Sequence, residues 1–194
     1  MTPGFRLKLL VGLGNPGIQY QRTRHNAGFW FLGELSLRNG VRFRSEARLQ
    51  GETAVVDGPG GLVHLLKPMT YMNRSGHPVA MFARYHRVQP GEILVAHDEL
   101  DFEPGVVRLK IGGGHGGHNG LRDIIANLGS ADFVRLRLGI GHPVDRAVTA
   151  AYVLASPPPE DRRAILEALQ RAIDVMPVLL SGDLSAAMNR LNAR

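Results

Sequence analysis

Two side chains in this sequence could move a proton at neutral pH without a cofactor. One is the imidazole of His25, in Thr23-Arg24-His25-Asn26-Ala27-Gly28, and the other is the carboxylate of Asp98, in Ala96-His97-Asp98-Glu99-Leu100-Asp101. A histidine oriented by a carboxylate can deprotonate water. The two lie far apart in the chain, and spacing alone does not show that they meet. A third stretch, Gly112-Gly113-Gly114-His115-Gly116-Gly117-His118-Asn119-Gly120, has six glycines in nine residues. Its backbone can take positive φ almost anywhere. It could be a phosphate cradle, a metal site on His115 and His118, or a loop shaping a polar cleft.

Several chemistries are disfavoured by what surrounds these residues. The chain has no cysteine, which removes thiolate nucleophiles, thiolate metal sites and disulfides. No serine lies in Gly-x-Ser-x-Gly, so activated water is the natural nucleophile if the chain is a hydrolase. His115 and His118 are three apart but lack a compact third ligand, and no His-Glu-x-x-His occurs. Gly12-x-Gly14-x-x-Gly17 matches the dinucleotide string, yet Pro16 interrupts the turn and no acidic residue ends a second strand at the required distance. Gly112-x-Gly114-x-x-Gly117 matches the same string, and neither loop ends in Gly-Lys-Ser/Thr. We therefore expect no metal and no cofactor.

The 194 residues suffice for one well-cored domain. The formal charge is +6, and with only three lysines among 23 basic residues the remaining twenty are arginines. Arginine forks match phosphates, so an anionic partner is one reading; an arginine-rich codon bias is the other. No apolar run reaches the ~20 residues of a membrane span, and Gly12 to Gly17 breaks the first apolar run before a leader core could form. A soluble, cytoplasmic protein is expected.

The elements that must position these residues follow from periodicity. Leu7 to Leu13 reads as a buried strand, stopped by Asn15-Pro16-Gly17. A helix from Asn26 to about Asn39 turns Phe29, Leu32, Leu35 and Leu37 inward. Ala54 to Val56 and Leu62 to Leu66 form a hairpin, and Lys67 to Asn73 is an irregular connection. Ser75 begins a helix to His86 carrying Val79, Met81, Phe82 and Tyr85. Ile93 to Ala96 is a strand ending at His97-Asp98, and Val106 to Ile111 leads into the glycine loop, followed by a helix from Leu121 to Leu128. Phe133 to Ile140 alternates apolar and basic residues, which predicts one buried face and one basic face. Glu160 to Leu180 is a long helix that Pro177 should end or kink, and Leu184 to Leu191 closes the chain. Strands alternating with helices imply a single α/β domain, residues 1–194, with a twisted, mixed and mostly parallel sheet flanked by helices. Asn15 and Asp98 fall at the carboxyl ends of strands, where sites in such sheets gather.

Five motifs then stand in order: Val11-Gly12-Leu13-Gly14-Asn15-Pro16-Gly17 with Tyr20; Thr23 to Gly28; Lys67-Pro68-x-Thr70-Tyr71-Met72-Asn73-x-Ser75-Gly76; His97 to Asp101; and Gly112 to Gly120. Together they closely resemble the bacterial peptidyl-tRNA hydrolase family. The resemblance implies a cofactor-free, monomeric esterase that frees tRNA from peptidyl-tRNA, engaging the CCA end and acceptor stem. It implies His25 as catalytic base and Asp98 as the carboxylate orienting it. It places Asn15, Tyr20, Tyr71, Met72, Asn73, His118 and Asn119 along the substrate cleft, and Lys110 and Arg137 on the terminal phosphate of tRNA.

Two segments depart from the family pattern. The connection Leu128 to Phe133 is short, so assigning Arg137 assumes a gap before Phe133. Asp145 to Ser156, which resembles the family's flexible lid, is compact and alanine-rich. Arg135, Arg162 and Arg163 are additional basic residues, and ordinary solvated surface is the favoured reading for them. The rival functions are a non-enzymatic RNA-binding relative, against which the joint presence of His25, Asp98, Asn15, Asn73 and Asn119 argues, and a small-molecule or nucleotide enzyme resting on the two glycine strings.

Overall fold

The computed structural model describes residues 5–143 and 145–193, apart from the Arg146 side chain. The domain expected over 1–194 therefore includes residues 1–4, 144 and 194, which lie outside the described residues. The strands are β1 (Leu9–Gly12), β2 (Arg44–Glu46), β3 (Gly51–Gly58), β4 (Gly61–Pro68), β5 (Ile93–Glu99), β6 (Val107–Ile111) and β7 (Val134–Gly139). The helices are α1 (Ala27–Arg38), α2 (Gly76–His86), α3 (Asn119–Leu128), α4 (Thr149–Val153), α5 (Pro159–Leu180) and α6 (Leu184–Asn192). One sheet runs in the order β2-β3-β4-β1-β5-β7-β6. Its four central strands, β4, β1, β5 and β7, are parallel, and β3, β2 and β6 run antiparallel to their neighbours. The sheet is mixed and mostly parallel, with helices on both faces, as the periodicity predicts.

β1 and the first four residues of β5 are apolar on both faces because each face is covered by helices. Leu10, Leu94 and Ala96 join α1 and α5 in one core, around Phe31 and Leu169. Leu9, Val11 and Val95 join α2 and α3 in the other, around Phe82 and Ile124. No helix among the described residues is long and apolar enough to cross a membrane.

After β1 the chain crosses to the far edge at β2 and builds back inward through β3 to β4, then places β5 on the other side of β1. This reversal opens a crevice at the carboxyl ends of β1 and β5, the usual place for a site in such a sheet. The first glycine string serves this crossing. A Cβ on Gly28 would lie 2.3 Å from the Ala96 carbonyl oxygen, and one on Gly12 would lie 2.3 Å from that of Gly28. A Cβ on Gly14 would press into the Phe29 ring at 2.6 Å. These glycines are required by the approach of α1 to the sheet, with no dinucleotide needed to explain them.

Several expectations need correction. β5 does not stop at Ala96: pairing with β7 extends to Glu99, so His97 and Asp98 lie within the strand. β3 and β4 are longer than the predicted hairpin, and β4 absorbs Lys67 and Pro68. Pro68 fits because β1 pairs with β4 only through Leu66. β2 had no apolar signal, since all three of its residues are exposed. Leu37 is exposed because it lies two residues, about 200°, beyond Leu35 on α1. Tyr85 is exposed on the last turn of α2, edge-on to His86. Pro177 does not end α5, which continues to Leu180; burial of Met176 and Leu179 holds the last turn in place. β7 has no open basic face: Arg135 is buried and Arg137 half-buried. Ser75 stands at the start of α2, but its hydroxyl donates to the Met72 carbonyl, and Asp123 from α3 accepts the Gly76 N–H instead.

The contact at Gly28 yields a stability prediction. Gly28→Ala should destabilise the fold by about 1–3 kcal/mol or more, because a packed backbone crossing must move apart. Urea unfolding would measure it, and an unchanged midpoint would show that α1 can shift at no cost.

Candidate active site

Asp98 stands at the carboxyl end of β5, within reach of both helical layers. His25 comes from the 3-10 turn Arg24–Asn26 that leads into α1, and its Nδ1 lies 2.9 Å from both Asp98 carboxylate oxygens. His118 comes from the start of α3, and its Nε2 lies 2.9 Å from Asp98 Oδ1. The His118 Nδ1 accepts the Gly120 and Leu121 N–H groups, capping the helix. A neutral His118 therefore carries its proton on Nε2 and donates it to Asp98. With His25 Nδ1–H also donating, His25 Nε2 is left as an acceptor.

This geometry sets the electrostatics. Burial of Asp98 opposes its charge, but the two imidazoles and their hydrogen bonds overcome this and hold its carboxyl well below the usual carboxylate range. Burial alone would lower the His25 pKa; the charge and hydrogen bond of Asp98 outweigh it and raise it above the ordinary 6.5. His97, behind His118 with ring centroids 5.1 Å apart, is pushed down to about 3, chiefly by burial and then by its imidazole neighbour.

His25, Asp98 and His118 also form a compact set of metal-type ligands, with donor atoms within 4.8 Å of one another. Their protonation does not suit a cation. A metal on His118 Nε2 would displace the proton given to Asp98 while Nδ1 is held as an acceptor, leaving an imidazolate. The start of α3 is equally ill-suited to phosphate, because its Gly120 and Leu121 N–H groups are already taken by His118.

The asparagines are positioned in series. The Asn26 side chain grips the Asn15 backbone twice, accepting from its N–H and donating to its carbonyl, each at 2.9 Å. Asn15 Oδ1 then accepts the Met72 N–H at 2.7 Å, fixing the 3-10 turn Met72–Arg74. Asn119 is exposed, and its Oδ1 accepts from Arg122 at 3.1 Å, leaving the amide nitrogen to donate. Asn15, Asn73, Asn119, Tyr20, Tyr71 and Met72 line one cavity of about 550 Å³. Asp98, His118, Asn119, Lys110, Arg135 and Arg137 line another, of about 740 Å³. His25 belongs to both.

Lys110 and Arg137 share one face of the β6–β7 ladder with Arg108 and Arg135. Lys110 is exposed, while Arg137 Nε donates to Glu99 at 2.8 Å beneath the Phe102 ring. Arg162 lies over the Trp30 ring, and Arg163 faces Glu167 on the exposed face of α5; neither lines the two cavities. Three supporting residues had escaped the sequence reading. Asn26 stood only as the first residue of a helix. Arg24 buries its guanidinium against the Tyr152 ring and donates to the Tyr152, Ala155 and Ser156 carbonyls at the end of α4. Arg135, expected on solvated surface, is 3% exposed and donates to the carbonyls of Gly113 and Gly114. Only the charge alternation of 134–138 hinted at Arg135, and nothing local marked its target.

A doubly wound α/β sheet bearing an imidazole–carboxylate pair at its switch point, on the wall of two cavities, has the layout of an enzyme that moves protons at a bound substrate. Comparison with known proteins narrows this class. The family model described as peptidyl-tRNA hydrolase matches residues 9–194. A peptidyl-tRNA hydrolase of Methylococcus capsulatus is 53% identical over 186 residues, covering 96% of this chain and 99% of the relative. One from Neisseria meningitidis is 50% identical over 188 residues, covering 97% and 98%. The crystal structure of peptidyl-tRNA hydrolase from Acinetobacter baumannii superposes with a TM-score of 0.95 at 44% identity, covering 100% of this chain and 98% of that one. The chain belongs to the peptidyl-tRNA hydrolase family, and it is an enzyme of the hydrolase type.

The raised His25 pKa can be measured directly. Titration of the His25 ring protons by NMR should give a midpoint above 6.5. In Asp98→Asn only the opposing burial effect remains, so the midpoint should fall below that value. An unmoved midpoint would show that Asp98 does not govern His25.

Proposed function

We propose that this chain hydrolyses the ester joining a peptide to the 3′-terminal ribose of tRNA, as a cofactor-free cytoplasmic monomer. The observation that carries the reading is the place of His25, on the wall shared by two chemically different cavities. The cavity with Tyr20, Tyr71, Met72 and three asparagines suits a peptide, offering apolar surface and amides for its carbonyls. The cavity with Lys110 and Arg137 suits the CCA end and acceptor stem, whose phosphates need cations. An ester spanning the two would present its carbonyl to His25. The segment 145–156 serves as a flexible lid, with Ala150 and Val153 bordering both cavities.

In this mechanism His25 Nε2 takes a proton from a water held near Asn73, and the water oxygen attacks the ester carbonyl carbon. Asp98 keeps the proton of His25 on Nδ1 and stabilises the imidazolium. The amide nitrogen of Asn119, left to donate by Arg122, joins the groups that meet the oxyanion. Collapse breaks the bond to the ribose 3′-oxygen, which leaves with the proton from His25. The peptide departs as an acid and tRNA departs with a free hydroxyl.

Hydrolysis of an N-blocked aminoacyl-tRNA tests the reading. The purified protein should cleave it, and a chelator should leave the rate unchanged. His25→Ala should lower turnover by roughly 10²–10⁴. Turnover of this variant close to that of the parent would remove the histidine from the mechanism. Affinity for tRNA should weaken with salt, and Lys110→Ala and Arg137→Ala should each reduce the logarithmic slope by about 0.7, the value for one single-strand phosphate. Binding without cleavage would leave an RNA-binding module instead.

A further inference from the structure

The glycine loop 112–117 carries one side chain, His115, which accepts the Gly117 N–H within the loop at 3.0 Å, and no apolar side chain that could pack the loop against the sheet. A Cβ added at Gly114, Gly116 or Gly117 would meet nothing within 4 Å, and Gly113, Gly116 and Gly117 have φ of +97°, +56° and +82°. Yet the residue that follows, His118, must place Nε2 on Asp98 while capping α3. Something outside the loop has to fix its path. Its first residue is tied down just before β7 by the Gly112 N–H donating to the Phe133 carbonyl at 3.0 Å. Beyond that, Arg135 is the only side chain outside the loop, among the described residues, that hydrogen-bonds its backbone, through both Nη groups to Gly113 and Gly114.

We infer that Arg135 is a positioning residue for hydrolysis: it holds the glycine loop so that His118 shares Asp98 with His25, and it does not serve as a phosphate contact. The inference rests on the proposed hydrolysis. Arg135 is 3% exposed, its guanidinium lies 5.0 Å from the Phe133 ring centroid, and its Nε is buried without a partner. A tRNA phosphate would have to draw it away from two carbonyls it already satisfies. A planar fork suits two successive carbonyls as a single lysine ammonium does not. Lys110 and Arg137, flanking it on the same ladder face, are the more exposed cations.

Arg135→Lys keeps the charge and removes the fork. With an N-blocked aminoacyl-tRNA as substrate, kcat should fall about 10–100-fold, the scale of a misplaced catalytic group, with KM little changed. The salt slope of tRNA affinity should match that of the parent. The NMR midpoint of His25 should rise, because a displaced His118 no longer shares the Asp98 charge. A slope reduced by about 0.7 with kcat retained would make Arg135 a phosphate contact and overturn the inference. Parental kcat, KM and His25 midpoint, with only a lower melting temperature, would overturn it too. Should Arg135→Lys not fold, Gly117→Ala disturbs the loop from within, at +82° and in open space. It should reproduce the kcat loss and the raised midpoint, and parental values for both would refute the role of the loop. The His25 titration needs no turnover, so it decides the inference even if the parent cleaves no ester.

Discussion

One buried charge governs this structure. Asp98 is 3% exposed at the end of a central strand, and a carboxylate taken out of water there is stable only if its oxygens are satisfied. The chain satisfies them from opposite sides. His25 arrives from the layer of α1 and His118 from the layer of α3, so the two helical faces of the sheet converge on one carboxylate. Neither layer can move far without leaving a buried oxygen unpaired, which makes the site also a fastening between the layers.

That convergence depends on how closely backbones approach one another. The contact of α1 with β1 and β5 leaves no room for a Cβ at Gly12 or Gly28. Where α3 begins, a Cβ on Gly120 would meet Met72 Sδ at 2.6 Å, so the same economy of space seats the helix against the turn that carries Asn73. Asn26, Asn15 and Met72 extend the arrangement as a relay, with two hydrogen bonds between the asparagines and one on to Met72. The site is thus set by backbone fit first and by side-chain identity second, as rigid placement of reacting groups requires.

Much of this was legible in the sequence, and the limits have physical causes. The four parallel strands and the flanking helices follow from apolar periodicity: β1 and β5 open as continuous apolar runs, and β7 alternates because one of its faces carries arginines. β2 was invisible since nothing in it is buried, and the run of α5 through Pro177 reflects tertiary burial overriding a local penalty. His25 and Asp98 could be singled out by type and motif, while their meeting depends on strand order, which no local pattern encodes. The glycine loop was legible as a loop; its hold on Arg135 was not, because an alternating basic strand gives no sign of what covers it. His118 stood among the cleft residues. In the structure both of its ring nitrogens are engaged by the protein, so it can offer a substrate only ring surface.

A small feature at the far edge of the sheet bears on the solution behaviour of the molecule. β6 is the last strand, and a bare strand edge invites another chain to add to it. Asn192, near the end of α6, donates its side-chain amide to the Leu109 carbonyl and accepts the Leu109 N–H, at 3.0 and 2.8 Å. Its carboxamide imitates one residue of an eighth strand and blocks the edge at mid-length. The final helix therefore works as a stopper against sheet growth.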